Sequence, residues 1–71
     1  MLQITPAERR ALQLLAEGKG RTELAASLVI AEDEVDEYLR ELFRRIGVDT
    51  SVEAITIGVK RGLIEYALQS S

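Results

Sequence analysis

The segment Ile30-Ala31-Glu32-Asp33-Glu34-Val35-Asp36-Glu37-Tyr38-Leu39-Arg40-Glu41-Leu42-Phe43-Arg44-Arg45-Ile46-Gly47-Val48 decides how the rest of the chain is read. Within it Val35, Tyr38, Leu39, Leu42, Phe43 and Ile46 fall at i, i+3, i+4, i+7, i+8 and i+11, one apolar stripe on a helix of about four turns. The opposite face opens with Glu32, Asp33, Glu34, Asp36 and Glu37 and closes with Arg40, Arg44 and Arg45. Residues before this helix read as a scaffold that presents it, and residues after it as a brace.

Working toward the N-terminus, Val29-Ile30-Ala31 is a brief turn, and Arg21 to Leu28 reads as a short helix with Leu24, Ala25 and Leu28 inward. Ala25 and Ala26 are small enough for another helix to approach closely. A short helix, a tight turn and a longer helix form a helix-turn-helix. Further upstream, Thr5-Pro6-Ala7-Glu8 carries the signals of a helix start, with Thr5 as N-cap, Pro6 at the first helical position and Glu8 closing a capping box. Ala11, Leu12, Leu14, Leu15 and Ala16 supply its buried face, and Gly18 its stop. Toward the C-terminus, Gly47 ends the central helix, Thr50-Ser51-Val52-Glu53 offers a second capping box, and Ala54, Ile55, Ile57, Val59, Leu63 and Ile64 form a fourth helix that Gly62 could interrupt. The expected architecture is all-α, a single domain over residues 1–71 with helices at about 6–17, 21–28, 32–46 and 51–67 and no strand.

Composition narrows the function. The chain has 71 residues, 46% apolar and 30% charged, with a net charge of -3. No apolar run is long enough to span a membrane, and no signal-peptide pattern opens the chain, so a cytoplasmic location is expected. Neither cysteine nor histidine occurs, which removes disulfides, thiolate metal sites and the commonest general base. No cofactor is expected. Asp33, Asp36 and Glu37 carry oxygen ligands for a hard cation but lack the glycine and loop of a calcium site. An enzyme is the least expected class, because no nucleophile–base pair or phosphate-binding loop is present.

Ile4-Thr5-Pro6, Glu8-Arg9, Leu12, Leu14-Leu15-Ala16-Glu17-Gly18, Glu23-Leu24-Ala25, Leu28, Ile30, Val35, Leu39, Ile46-Gly47-Val48, Glu53-Ala54 and Arg61-Gly62-Leu63 together resemble the LuxR/GerE-type helix-turn-helix domain of bacterial transcription regulators. The resemblance runs from about Ile4 to Ile64, and the length is similar to the stand-alone GerE arrangement. It implies a bacterial, cytoplasmic protein in transcriptional control that binds DNA as a dimer, with helix three in the major groove and the fourth helices packed together. On that basis Ile55, Val59, Ile64 and Leu68 are the candidate dimer residues, for a homodimer or for a heterodimer with a related regulator. Arg21, Arg40, Arg44 and Arg45 are the candidate DNA or phosphate contacts.

The DNA face departs from the family. Ser or Thr is usual at Ala31, Thr at Glu34, Lys or Arg at Asp36, His at Tyr38 and Lys at Arg45, while the usual Arg after the Gly-Val stop is here Ser51. Affinity for DNA comes largely from Lys and Arg neutralising phosphates, and base reading needs donors. A carboxylate roughly 7 Å from a phosphate in a water-like medium costs about 0.6 kcal/mol. Glu32, Asp33, Glu34, Asp36 and Glu37 therefore argue against direct DNA binding. The expected function is LuxR/GerE-like transcriptional regulation with direct DNA binding disfavoured; the alternative is a protein-interaction module (an anti-activator or a dimer-poisoning partner) that kept the fold, in which these acids exclude DNA, meet a basic partner or imitate DNA's charge. A purely structural role is the rival reading: acids favour the positive end of the helix dipole, replace the missing Ser/Thr cap, and pair along the helix as Asp36–Arg40 and Glu41–Arg45. Tyr38 reads as a core or rim aromatic, and Arg9-Arg10 as a solvated face.

Overall fold

Thr5 starts the first helix as its sequence requires. Its hydroxyl accepts the Glu8 N–H at 3.1 Å, and the Glu8 carboxylate accepts the Thr5 N–H at 2.9 Å. From there α1 runs over Pro6–Ala16. In the computed structural model, which describes residues 4–64, α2 follows at Arg21–Leu28, a single 3-10 turn at Glu32–Glu34, α3 at Val35–Ile46 and α4 at Ser51–Lys60. No strand occurs among the described residues.

Each helix stops at a residue in the left-handed region: Gly18, Val29, Gly47 and Gly62. After α1, Gly18 N–H donates to the Leu15 carbonyl and Lys19 N–H to that of Leu14, so the helix ends at Ala16, with Glu17 as cap rather than as its last turn. Val29 plays the same part after α2 at φ 59, a conformation that a β-branched side chain adopts at a cost, and it is 87% exposed.

The helix expected as continuous from 32 to 46 divides. Ala31 has no side-chain acceptor, so Glu34 supplies the cap: its carboxylate takes the Ala31 N–H at 3.0 Å while its own N–H donates to the Ala31 carbonyl at 2.9 Å. That bond closes a tight 3-10 turn before the α-helical register begins at Val35. The fourth helix, expected over 51–67, closes at Lys60. Gly62 turns the chain back so that Leu63 and Ile64 N–H both donate to the Gly58 carbonyl; residues 65–67 lie outside the described residues. Thr50 caps α4 by accepting the Glu53 N–H at 3.2 Å. The reciprocal bond of the expected box goes elsewhere, because Glu53 accepts the N–H of Asp49.

α1 packs on α2 and α4, and both of those pack on α3. Leu12, Leu42 and Val35 are the largest wholly buried side chains, enclosed by Ala11, Leu24, Ala25, Ile46, Val48, Ala54 and Ile64. Tyr38, Leu39 and Phe43 lean on this core from its edge, so the apolar stripe of α3 faces inward along its length. Ala26 points to solvent, and close approach falls to Ala25 alone.

Candidate functional site

The core fixes α3 by its Val35–Leu42–Ile46 side, which leaves Asp33, Asp36, Glu37, Arg40, Glu41, Arg44 and Arg45 exposed. α2 and the turn set the neighbours of its first half. Arg21, the first residue of α2, places one guanidinium nitrogen 2.8 Å from each oxygen of Asp36. The Thr22 hydroxyl donates to Glu32 at 3.0 Å. With Glu34 occupied at Ala31, three of the five carboxylates of the acidic segment hold the helix-turn-helix corner together. Asp33 and Glu37 have no such bond among the described residues.

The last turn is tied to α1. Arg45 reaches Glu8 with one nitrogen at 2.7 and 2.9 Å from its two oxygens. Glu8 thus serves the Thr5 N–H and Arg45 together, and its side chain is only 12% exposed. Tyr38 lies beside this pair, half-buried; burial raises its phenol above the ordinary value of 10.0, Glu8 adds to the rise and Arg45 opposes it.

The intrahelical pairs expected from sequence do not form. Asp36 turns to Arg21 instead of Arg40, and Arg45 to Glu8 instead of Glu41. Two of the four candidate phosphate ligands, Arg21 and Arg45, are therefore neutralised within the chain. Arg40 and Arg44 have no partner among the described residues. With Asp36 they line one side of an open groove of about 550 Å³, to which Leu39, Phe43, Val48, Asp49 and Ser51 also contribute. Among the described residues no cluster of Asp and Glu is arranged to hold a metal; Asp36 in particular points at a cation of the chain itself.

Of the candidate dimer residues, Val59 is 41% exposed and Ile55 half-buried. Ile64 is not available to a partner: at 7% exposure it is in the core, over Gly58. Leu68 lies outside the described residues. Sequence reasoning missed Val52, which is 72% exposed. With Leu15, Ala16, Ile55 and Val59 it lines a mainly apolar groove of about 670 Å³ between α1 and α4. The Val52–Ile55–Val59 spacing, a second helical stripe, is the signal that would have found it.

Among the described residues no helix is long and apolar enough to cross a membrane. Residues 2–57 match the family described as bacterial regulatory proteins, luxR family. The chain is also 31% identical, over 64 residues, to the response regulator Rre1 of Synechocystis sp.. That alignment covers 90% of this chain and 28% of the relative, so the chain spans little more than a quarter of the curated protein it matches. No solved structure matches it.

Proposed function

We infer a function from one fixed premise, that this chain belongs to the luxR family of bacterial regulatory proteins. It acts in transcriptional control, and it does so through protein contacts, without lodging α3 in the major groove of DNA. The observation that carries this reading is the Arg21–Asp36 pair at 2.8 Å. A cation at the start of α2 is well placed for a phosphate, and here the reading helix itself neutralises it. Asp33 and Glu37 add unpaired negative charge in the leading turn and on the same helix, and two free arginines do not outweigh them. The apolar groove of Leu15, Val52, Ile55 and Val59 is the surface that receives a different partner chain, a related regulator.

The second reading is direct binding of duplex DNA, and the unpaired Arg40 and Arg44 favour it. A titration against a generic duplex at about 50 mM salt, where even non-specific binders register, separates the two. The natural chain is expected not to bind, and a Glu34→Thr, Asp36→Lys variant to bind. Salt-sensitive binding by the natural chain, lost on replacing Arg40 and Arg44, would sink the first reading.

A further inference from the structure

We propose that the outermost ridge of α3 and its leading turn, formed by Asp33, Glu37, Arg40 and Arg44, is a self-complementary surface on which a second copy of this chain lies antiparallel. The proposal rests on the reading that α3 is not lodged in DNA, because one ridge cannot serve both.

Glu37, Arg40 and Arg44 are spaced by three and four positions on α3, which aligns them on the side opposite the buried Val35, Leu42 and Ile46, and Asp33 stands exposed in the 3-10 turn that leads into them. All four are exposed and have no partner among the described residues, whereas the adjacent Glu32, Glu34, Asp36 and Arg45 are each bonded. Their order is acid, acid, base, base. Arg40 and Arg44 are like-charged neighbours at i, i+4 of α3, an arrangement that disfavours an isolated helix, and the leading turn adds Asp33 to the acid end of the ridge. An alternating order would have paired along the helix.

A second α3 laid antiparallel sets an acid against each of these bases. With the twofold axis passing between positions 38 and 39, Asp33 meets Arg44 of the second copy and Glu37 meets its Arg40. Symmetry repeats both contacts, giving a closed isologous pair. No like charges meet at the axis. The parallel arrangement sets acid on acid and is excluded, so charge alone fixes the orientation. The groove over Leu39, Phe43 and Val48 runs beside the ridge and offers the partner apolar surface on one flank. The contact is mainly ionic and exposed, hence weak and salt-labile.

Sedimentation equilibrium of the full chain without DNA tests this at millimolar concentration, in about 20 mM and about 300 mM salt. The average mass is expected to rise toward twice 7.9 kDa at low salt and to return to the monomer at high salt. Arg40→Glu, Arg44→Glu and Asp33→Lys, Glu37→Lys variants should each be monomeric alone and should associate at least tenfold more tightly when mixed. Far-UV circular dichroism shows that each variant is folded, and a neutral Arg40→Gln, Arg44→Gln variant should lose association as well. The Arg9→Glu, Arg10→Glu variant, with the same change in net charge on α1, should associate like the natural chain.

A monomer at low salt would overturn the proposal. So would equal loss in the α1 control, or association that survives the ridge changes and disappears in Val59→Glu, which would move the contact to α4. Since no DNA is present, failure here is separate from failure of the functional reading, which duplex binding alone decides.

Discussion

The two halves of α3 and its leading turn share one buried stripe but use their charges in opposite ways. In the first half, acids are the majority, and most are engaged: Glu32 with Thr22, Glu34 with Ala31, Asp36 with Arg21. In the second half, bases are the majority, and only Arg45 is held, by Glu8, while Arg40 and Arg44 stand free. The acidic segment is thus in large part the fastening of the corner, with Glu34 replacing a side-chain cap that Ala31 lacks. The basic half is fastened at one point and otherwise left open to a ligand or partner. Sign of charge by itself does not say which residues build the fold and which face outward; the bonds do.

Removing the support common to both halves gives the largest effect. Leu42 is wholly buried under α3, and Leu42→Ala should cost about 3 kcal/mol in chemical denaturation, with both halves unfolding together. A variant that freed only one half would break the comparison at its root. Next comes the single fastening of the basic half. Glu8→Ala removes an acceptor from Thr5 and the anchor of Arg45, and should cost roughly 1–2 kcal/mol, with amide exchange accelerated at the start of α1 and the end of α3.

The corner pair is expected to matter less. Arg21 and Asp36 side chains are 53% and 66% exposed, so a double-mutant cycle with Arg21→Gln and Asp36→Asn should give a coupling below about 1 kcal/mol that fades with added salt. A coupling larger than that of Arg45 with Glu8 would reverse the order of the two halves. The smallest effect lies at high pH. The Tyr38 phenol is raised above 10.0 in the fold. Its contribution is therefore complete below about pH 10 and lost as pH rises through the raised value. Tyr38→Phe should lack this alkaline loss in a stability–pH series.

The fold was legible wherever its causes are local. The stripe from Val35 to Ile46, the Thr5 cap and the stops at Gly18 and Gly47 each need only a few neighbouring residues. The partners of Arg21 and Arg45 were not legible, because they lie 15 and 37 positions away. The local rule pointed to Arg40 and Glu41 instead, and tertiary proximity overrode it. Ile64 misled for a related reason. Gly58 weakens a helix interior when read alone, yet a side chain there would meet Ile64 at 3.0 Å. That glycine lets Ile64 fold back into the core and removes it from any partner-facing surface. Of the candidate contact residues, sequence could name the charges but not sort the tied from the free.

Val29 has a consequence for how the chain would respond to selection. It holds the left-handed position between α2 and the 3-10 turn at φ 59, where its three counterparts are glycines, and it presents its side chain almost wholly to water. An L-residue there loses about 1–2 kcal/mol and buries little apolar surface in return. In a library randomised at this position and sorted for thermal resistance alone, glycine and asparagine should displace valine within the first rounds. Sorting the same library for regulation in a bacterium would then show whether valine is a chance occupant that drifts away there too, or a residue the working protein keeps at the expense of its own stability.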